Sequence, residues 1–269
     1  MKKSLKYRGI IADVRRVVIK IGSRVIVQKT GRLDVRRMRS LIKELSRIQQ
    51  NGRELVIVSS GAIAAGMETL GMKERPTKLP DLQMAAAVGQ SRMMSCYNDL
   101  FSDFDCKIGQ ILLTHADFQH KIRLTNAHRT IENLIRNKVI PIINENDVVA
   151  DEEIRADIAL GDNDLLASLV VRLVRADLLV MLTTVDGVRE SGNSGNTRRI
   201  KYLESITKKT FSLVSSNKSN LSKGGMSTKL KAAQTVSKFG CSAIIASGRQ
   251  TGVLTKIMKG EDIGTIVLA

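Results

Sequence analysis

Apolar positions along this chain recur with two periods. Short β-branched runs at 17–21, 55–58, about 108–113, 139–143, 178–182, about 242–246 and 264–268 predict strands. Between them lie stretches with helical spacing. Residues 34–50 place Val35, Met38, Leu41, Ile42, Leu45 and Ile48 on one face, with Asp34 as N-cap and Gly52 closing the helix. Further helices are expected just after Ala62, over 82–101, over 122–136, and from Gly224 to about Lys238. Another should run from a cap at Asp162 or Asn163 to about Arg175, with Leu165, Leu166, Leu169, Val170 and Leu173 on one face. Residues 71–81, with Pro76 and Pro80, and residues 189–199 read as loops, 215–223 as a polar stretch and Asp186-Gly187 as a turn. Strands alternating with helices predict an α/β fold on a mostly parallel sheet.

Composition supports that pattern and narrows the partners. The chain has 269 residues, enough for one large domain or two small ones, and 43% are hydrophobic, enough for a core. It lacks Trp and has few aromatics, so the core must come from Ile, Leu, Val, Ala and Met, which suits strands buried on both faces. No apolar run approaches the roughly 18 residues of a membrane span. The basic start Met1-Lys2-Lys3 is followed by an apolar stretch that Lys20 interrupts, without a small-residue cleavage site, so a cytoplasmic protein is expected. Cys96, Cys106 and Cys241 are odd in number and widely spaced, and are expected to be buried free thiols. His115, His120 and His128 lack a zinc-ligand spacing and read as a surface cluster, so no protein metal site is expected. The net charge is +17, but the basic residues are scattered, with mild concentrations at 2–16 and 36–53. No aromatics interleave with them to stack bases. An anionic small substrate accounts for the charge as well as a nucleic acid does.

Four segments carry candidate chemistry. Lys20 sits among β-branched residues near the end of a strand, where its charge needs an edge, a cavity or an anion. Ser59-Ser60-Gly61-Ala62 follow a strand and precede a helix, which is either an anion site on free amides or a tight turn. The strand at 139–143 empties into Asn144-Glu145-Asn146-Asp147, followed by Asp157 and Gly161-Asp162-Asn163-Asp164. In open α/β sheets ligands bind beyond such strand ends, although a polar loop with an N-cap reads the same way. Gly224-Gly225-Met226-Ser227-Thr228-Lys229 is not a Walker sequence, yet glycines, hydroxyls and a lysine at a helix N-terminus suit phosphates as well as a capped helix start. Ala85-Ala86-Ala87 and Gly89 suggest close helix packing or a closely approached ligand.

Taken together, Val18 to Ser23, Val58 to Gly66, Ile143 to Asp147 and Gly224 to Lys229, in this order and spacing, resemble the glutamate 5-kinases of the amino acid kinase family. Ala85 to Ser91 also looks like those enzymes, and the resemblance covers about residues 15–268. It implies a single kinase domain, a three-layer α/β/α sandwich on a mostly parallel sheet. The implied reaction is ATP plus L-glutamate giving L-glutamyl 5-phosphate and ADP, the first step of proline synthesis, with Mg²⁺. By motif, Lys20 and Lys229 look like the lysines on the phosphates and the moving phosphoryl group, and Asp164 like the residue orienting them. Ser60, Gly61, Ala62, Asp147 and Asn163 look like glutamate contacts. Lys20, Gly22, Thr183, Thr184 and the run Lys223, Gly224, Gly225, Met226, Ser227, Thr228 and Lys229 look like nucleotide contacts. A γ-carboxylate with a pKa of about 4.3 is already ionised, so no general base is needed, and phosphates and water would hold most of the Mg²⁺ shell. The resemblance also implies proline as a feedback inhibitor and a homo-oligomer, without a membrane or nucleic-acid partner. Three features depart from the family pattern. Thr183-Thr184 replaces a common Thr-Asp, Ser222-Lys223-Gly224-Gly225 replaces a common Gly-Thr-Gly-Gly, and the C-terminal PUA module of many members is expected to be absent after Ala269. N-acetylglutamate kinase, aspartokinase and UMP kinase share the fold and the lysine logic, so the fold alone does not separate them.

Overall fold

A computed structural model describes residues 7–149, 163–191, 197–215 and 223–269. Asp157, Gly161, Asp162 and Ser222 lie outside the described residues. The first half alternates β1 (Arg16–Ile21), α1 (Ser23–Ile26), α2 (Val35–Gln50), β2 (Glu54–Val58), α3 (Ala62–Thr69) and α4 (Leu79–Ser102). It continues with β3 (Lys107–Leu113), α5 (His115–Gln119), α6 (Lys121–Arg136) and β4 (Val139–Glu145). The second half holds α7 (Asp164–Val174), β5 (Leu178–Thr183), the strand pair β6 (Arg189–Ser191) and β7 (Thr197–Arg199), and β8 (Tyr202–Leu203). After these come α8 (Lys208–Ser215), α9 (Lys223–Ser237), β9 (Ser242–Ser247), α10 (Val253–Met258) and β10 (Thr265–Val267).

Among the described residues, eight strands form one sheet in the order β3-β4-β2-β1-β5-β9-β10-β8. Neighbours are parallel except β9 and β10, which are antiparallel. Side chains alternate across this sheet and sort into two cores. Val17, Ile19 and Ile21 pack with Leu41 and Leu45 of α2, Met93 and Tyr97 of α4, and Leu254 of α10. Val18, Val56, Val58 and Met181 pack on the other side with Leu166 and Val170 of α7 and Leu230 and Ala233 of α9. Helices therefore cover both faces, giving the expected three-layer α/β/α sandwich.

Asp34 caps α2 as expected, its carboxylate accepting from Arg37 N at 2.9 Å. Four expectations are corrected. Pro80 does not lie in a loop but in the first turn of α4, where a missing N–H costs nothing, so that helix starts earlier than residue 82. β4 runs on through Asn144 and Glu145, so two residues of the polar cluster are strand residues. The stretch 189–199 contributes the antiparallel pair β6 and β7, whose Arg, Glu, Ser and Thr residues show no apolar alternation to announce a strand. On α7 the buried face is Leu166, Ala167, Val170, Val171 and Val174, while Leu165 is 41% exposed.

Candidate active site

From β1 the chain steps one way through the sheet to β2, β4 and β3, and later the other way to β5 and β9. The strand order thus reverses between β1 and β5, and it is beyond the carboxyl ends of strands at such a point that open α/β sheets bind ligands. Lys20 is the penultimate residue of β1 and points to the same side as Val18. It is fully buried, as is Asp164, the first residue of α7. Lys20 Nζ lies 2.8 Å from Asp164 Oδ1, close enough for an ion pair but without hydrogen-bond alignment. Lys229, from the second turn of α9, donates from Nζ to Asp164 Oδ2 at 2.9 Å and to Gly225 O at 3.0 Å. Thr228 Oγ1 also donates to Asp164 Oδ2, at 2.8 Å. One carboxylate therefore ties together β1, α7 and α9. Desolvating an ion costs several kcal/mol, which an apolar trio would avoid, so this cluster is a poor device for stability alone.

Small residues let the chain pass closely at this point. Gly22 N donates to Leu182 O of β5 at 3.0 Å. A Cβ on Gly22 would come within 3.1 Å of that oxygen and 4.0 Å of Lys20 Nζ. Thr183 ends β5, its carbonyl accepting from Gly248 N at 2.8 Å, and Thr184 follows, half-buried. The glycine-rich run is not a loop before α9: Lys223 to Lys229 form its first turns. A Cβ on Gly225 would meet no described atom within 4 Å, so packing against the described residues does not demand glycine there. Met226 is half-buried and packs against the core on the α7 side. Ser227 is half-buried.

The other half of the site is built on β2 and β4. Ser59 N donates to Ile143 O at 2.8 Å, and Ser59 Oγ lies 3.0 Å from Tyr97 OH. Burial pushes the Tyr97 phenol far above its ordinary pKa despite that bond, so it stays neutral. Ser60 is buried, and its Oγ has no hydrogen-bond partner among the described residues. Gly61 has φ of 106°, which a side chain would strain, and α3 starts at Ala62 with its first amides unsatisfied by the helix itself. That turn is braced by α4: a Cβ on Gly89 would fall 1.8 Å from Ala62 O, and one on Gly66 would fall 1.7 Å from Ala85 O. Close helix packing is thus the structural use of Gly89 and its alanine neighbours.

Asn163 precedes α7 but makes no side-chain capping bond. Its Nδ2 donates instead to Ser59 O and, at 2.5 Å, to Asn144 Oδ1. Asn144 Nδ2 in turn donates to Gln90 Oε1 at 2.7 Å. Asp147 is half-buried in the turn after β4, where Asn146 N donates to Leu113 O at 2.9 Å and Gln83 Nε2 to Val148 O at 3.0 Å. Lys20, Asp164 and Lys229 therefore meet directly, and Asn163, which precedes Asp164 in the chain, is bonded to Ser59 just after β2. Gln90, Asn144, Ser59 and Tyr97 join the site without having been singled out as contacts. Gln90 had a signal: it shares the buried face of α4 with Met93, Tyr97 and Phe101, at a position where the pattern calls for an apolar residue. Two of the three histidines have structural places, His120 capping α6 and His128 lying 3.7 Å from Glu132. Cys106 and Cys241 are buried thiols and Cys96 is half-buried; burial pushes Cys241 up to about 12.

Comparison with known proteins gives the same picture. The sequence profile of the amino acid kinase family matches residues 15–247. The chain is 43% identical over 260 residues to a glutamate 5-kinase of Moorella thermoacetica, covering 96% of this chain and 68% of that protein. With a glutamate 5-kinase of Citrifermentans bemidjiense it shares 41% over 263 residues, covering 97% and 69%. Carbamate kinase from Giardia lamblia bound to AMP-PNP superposes with a TM-score of 0.62 at 15% identity, covering 96% of this chain and 99% of that one. An isopentenyl phosphate kinase product complex from T. acidophilum gives 0.62 at 14%, covering 94% and 99%. These two structures share the fold. From its sheet, its profile match and its relatives, the chain belongs to the amino acid kinase family and, within it, to the glutamate 5-kinases.

Proposed function

We propose that the protein transfers the γ-phosphoryl group of ATP to the γ-carboxylate of L-glutamate, giving L-glutamyl 5-phosphate and ADP, the first step of proline synthesis. The observation that carries this reading is the buried carboxylate of Asp164 holding Lys20 and Lys229, from two layers of the fold, at the point where strand order reverses. A carboxylate oxygen of glutamate attacks the γ-phosphorus, and a C–O–P linkage forms. The bond from that phosphorus to the β–γ bridging oxygen breaks, and its electron pair leaves on ADP. No proton moves, because the attacking carboxylate is already ionised at neutral pH. What the protein must supply is alignment and positive charge along the line of transfer.

In this reading the acceptor lies on the β2 and β4 side, against Ser60, the amides of Gly61 and Ala62, Asp147 and Asn163. The nucleotide lies on the β5 and α9 side, against Gly22, Thr183, Thr184 and the turns from Lys223 to Lys229. Lys20 and Lys229 reach the transferred group from β1 and α9, and Asp164 fixes their spacing. Among the described residues no group of three or more His, Cys, Asp or Glu side chains could hold a metal ion. In this reading Mg²⁺ is held mainly by phosphate oxygens and water, and neutralises charge on the polyphosphate. Proline carries the α-carboxylate and an ammonium of glutamate without the γ-carboxylate, and is the proposed feedback inhibitor at the acceptor half. A homo-oligomer working in the cytoplasm completes the proposal; no described helix is long and apolar enough to cross a membrane. ADP release measured with L-glutamate, N-acetylglutamate, aspartate and UMP tests the reading. Turnover should be confined to glutamate, and faster turnover with any of the other three would replace the proposal.

A further inference from the structure

Behind the acceptor half, three amide side chains form a chain whose direction is set by one backbone oxygen. The Asn163 atom that meets Ser59 O must be its nitrogen, because a carbonyl only accepts. The same nitrogen meets Asn144 at 2.5 Å, so Asn144 presents its oxygen there. Asn144 Nδ2 must then find an acceptor elsewhere, and finds Gln90 Oε1 at 2.7 Å. A chain of amides that starts on an acceptor ends with a surplus donor. That donor is Gln90 Nε2, which is buried and has no partner among the described residues. At the other end, both N–H groups of Asn163 Nδ2 are used inside the protein. What Asn163 can still offer a ligand is Oδ1, an acceptor, which suits an ammonium and not a carboxylate.

We infer that Gln90 is a positioning residue for the acceptor's ammonium group, since it holds Asn144 Oδ1 against Asn163, the second of the two acceptors that occupy the Asn163 nitrogen and leave its oxygen for a ligand. The inference rests on the proposal that the acceptor is L-glutamate. Gln90 touches no reacting atom; it acts through Asn144. Without an acceptor at position 90, Asn144 Nδ2 is a buried donor that has lost its acceptor, and its amide is no longer held with Oδ1 toward Asn163. Asn163 then keeps only Ser59 O to hold its amide, and its oxygen is less firmly placed.

Three variants separate this from a packing role. Gln90→Met keeps the length without the acceptor, Gln90→Ala removes the side chain, and Gln90→Glu keeps an acceptor oxygen. Each is first checked for a cooperative melt, and then KM is measured for glutamate and ATP. The inhibition constant of glutarate, which has both carboxylates of glutamate but no ammonium, is measured alongside. Gln90→Met and Gln90→Ala should raise KM for glutamate about 10-fold or more, the scale of one lost hydrogen bond to a charged group. Glutarate inhibition and KM for ATP should stay within about twofold, because neither ligand uses the lost contact. Gln90→Glu should bring KM for glutamate back toward wild type. Equal weakening of glutamate and glutarate would assign Gln90 to packing and overturn the inference, as would an unchanged KM for glutamate. Loss of the melt in both Met and Ala variants would assign it to the fold, with the same result. Wild-type protein that turns over no glutamate at all would instead defeat the proposed function, before any variant is compared.

Discussion

At the scale of single residues the site depends on three charges brought out of water. Lys20 and Asp164 are fully buried, and Lys229 nearly so. If both lysines stabilise charge that develops during transfer, Lys20→Ala and Lys229→Ala should each lower kcat by about 10²-fold or more, as loss of one preorganised donor does elsewhere. Near-wild-type kcat in either folded variant would remove that lysine from the mechanism. Removing the shared anion is a different experiment. Asp164→Asn leaves two buried ammonium groups without their common carboxylate, and should destabilise the protein by about 3–5 kcal/mol in denaturant unfolding. Asp147 is placed to test the acceptor half and the proposed inhibitor together. Asp147→Asn should raise KM for glutamate much more than KM for ATP, and should weaken inhibition by proline in parallel. Inhibition that survives while glutamate binding collapses would put proline at a separate site. Lys20 was legible in the sequence because a lysine inside a β-branched strand has no bland place to go. Gln90 and Asn144 stood in segments that the sequence marked, but their bond to each other was not legible, because an amide announces neither its partner nor its orientation until the chain is folded.

At the scale of elements, the crossing of α3 and α4 holds the turn proposed for the acceptor. Gly89 and Gly66 are there because backbone meets backbone: a Cβ on either would fall within 2 Å of a carbonyl oxygen of the other helix. Gly89→Ala gains up to about 1 kcal/mol of helix propensity, yet the helices must part to admit it. The net effect should be a loss of about 1–3 kcal/mol or more in denaturant unfolding. Since the oxygen it strikes belongs to Ala62, next to Gly61, KM for glutamate should rise as well. Gly9→Ala is the control: its Cβ would meet no described atom within 4 Å, and stability should change by no more than about 0.5 kcal/mol. The run Ala85 to Gly89 showed in the sequence that something packs closely; only the fold showed that the partner was the first turn of α3. Helix faces were less secure than helix spans. Five apolar positions on α7 were assigned to one stripe, but helical phase placed Leu165 outside and Ala167 and Val171 inside.

At the scale of the whole molecule, charge ties the edges of the layers together. Arg16 on β1 bonds Glu54 of β2 at 2.7 Å, Glu132 of α6 at 2.5 Å and the carbonyl of Val174 at the end of α7 at 2.6 Å. Burial pushes the Glu132 carboxyl up, but Arg16 outweighs it and the net pKa is lowered. Asp262 behaves the same way, burial opposed by Lys201 and Arg199. A carboxylate depressed in the folded state contributes its stability above the unfolded value, and loses it as pH falls through the folded value. The urea midpoint should therefore drop as pH falls below about 4.5, where unfolded carboxylates start to take up protons. Glu132→Gln should lower the midpoint at pH 7 and make the acid decline shallower; an unchanged slope would remove Glu132 from the linkage. Periodicity, capping and glycine position, read from the chain alone, determined the alternating architecture, because each is local to about one turn or one strand. The resemblance added the family and its lysines. Tertiary structure decided which strand lay beside β1, and so where the strand order reversed. It also decided that Asp164 would hold two lysines 144 and 65 residues away, and that a glutamine on α4 would set the sense of an asparagine before α7. Those contacts join residues far apart in the chain, and no local pattern encodes a donor's partner across such a distance.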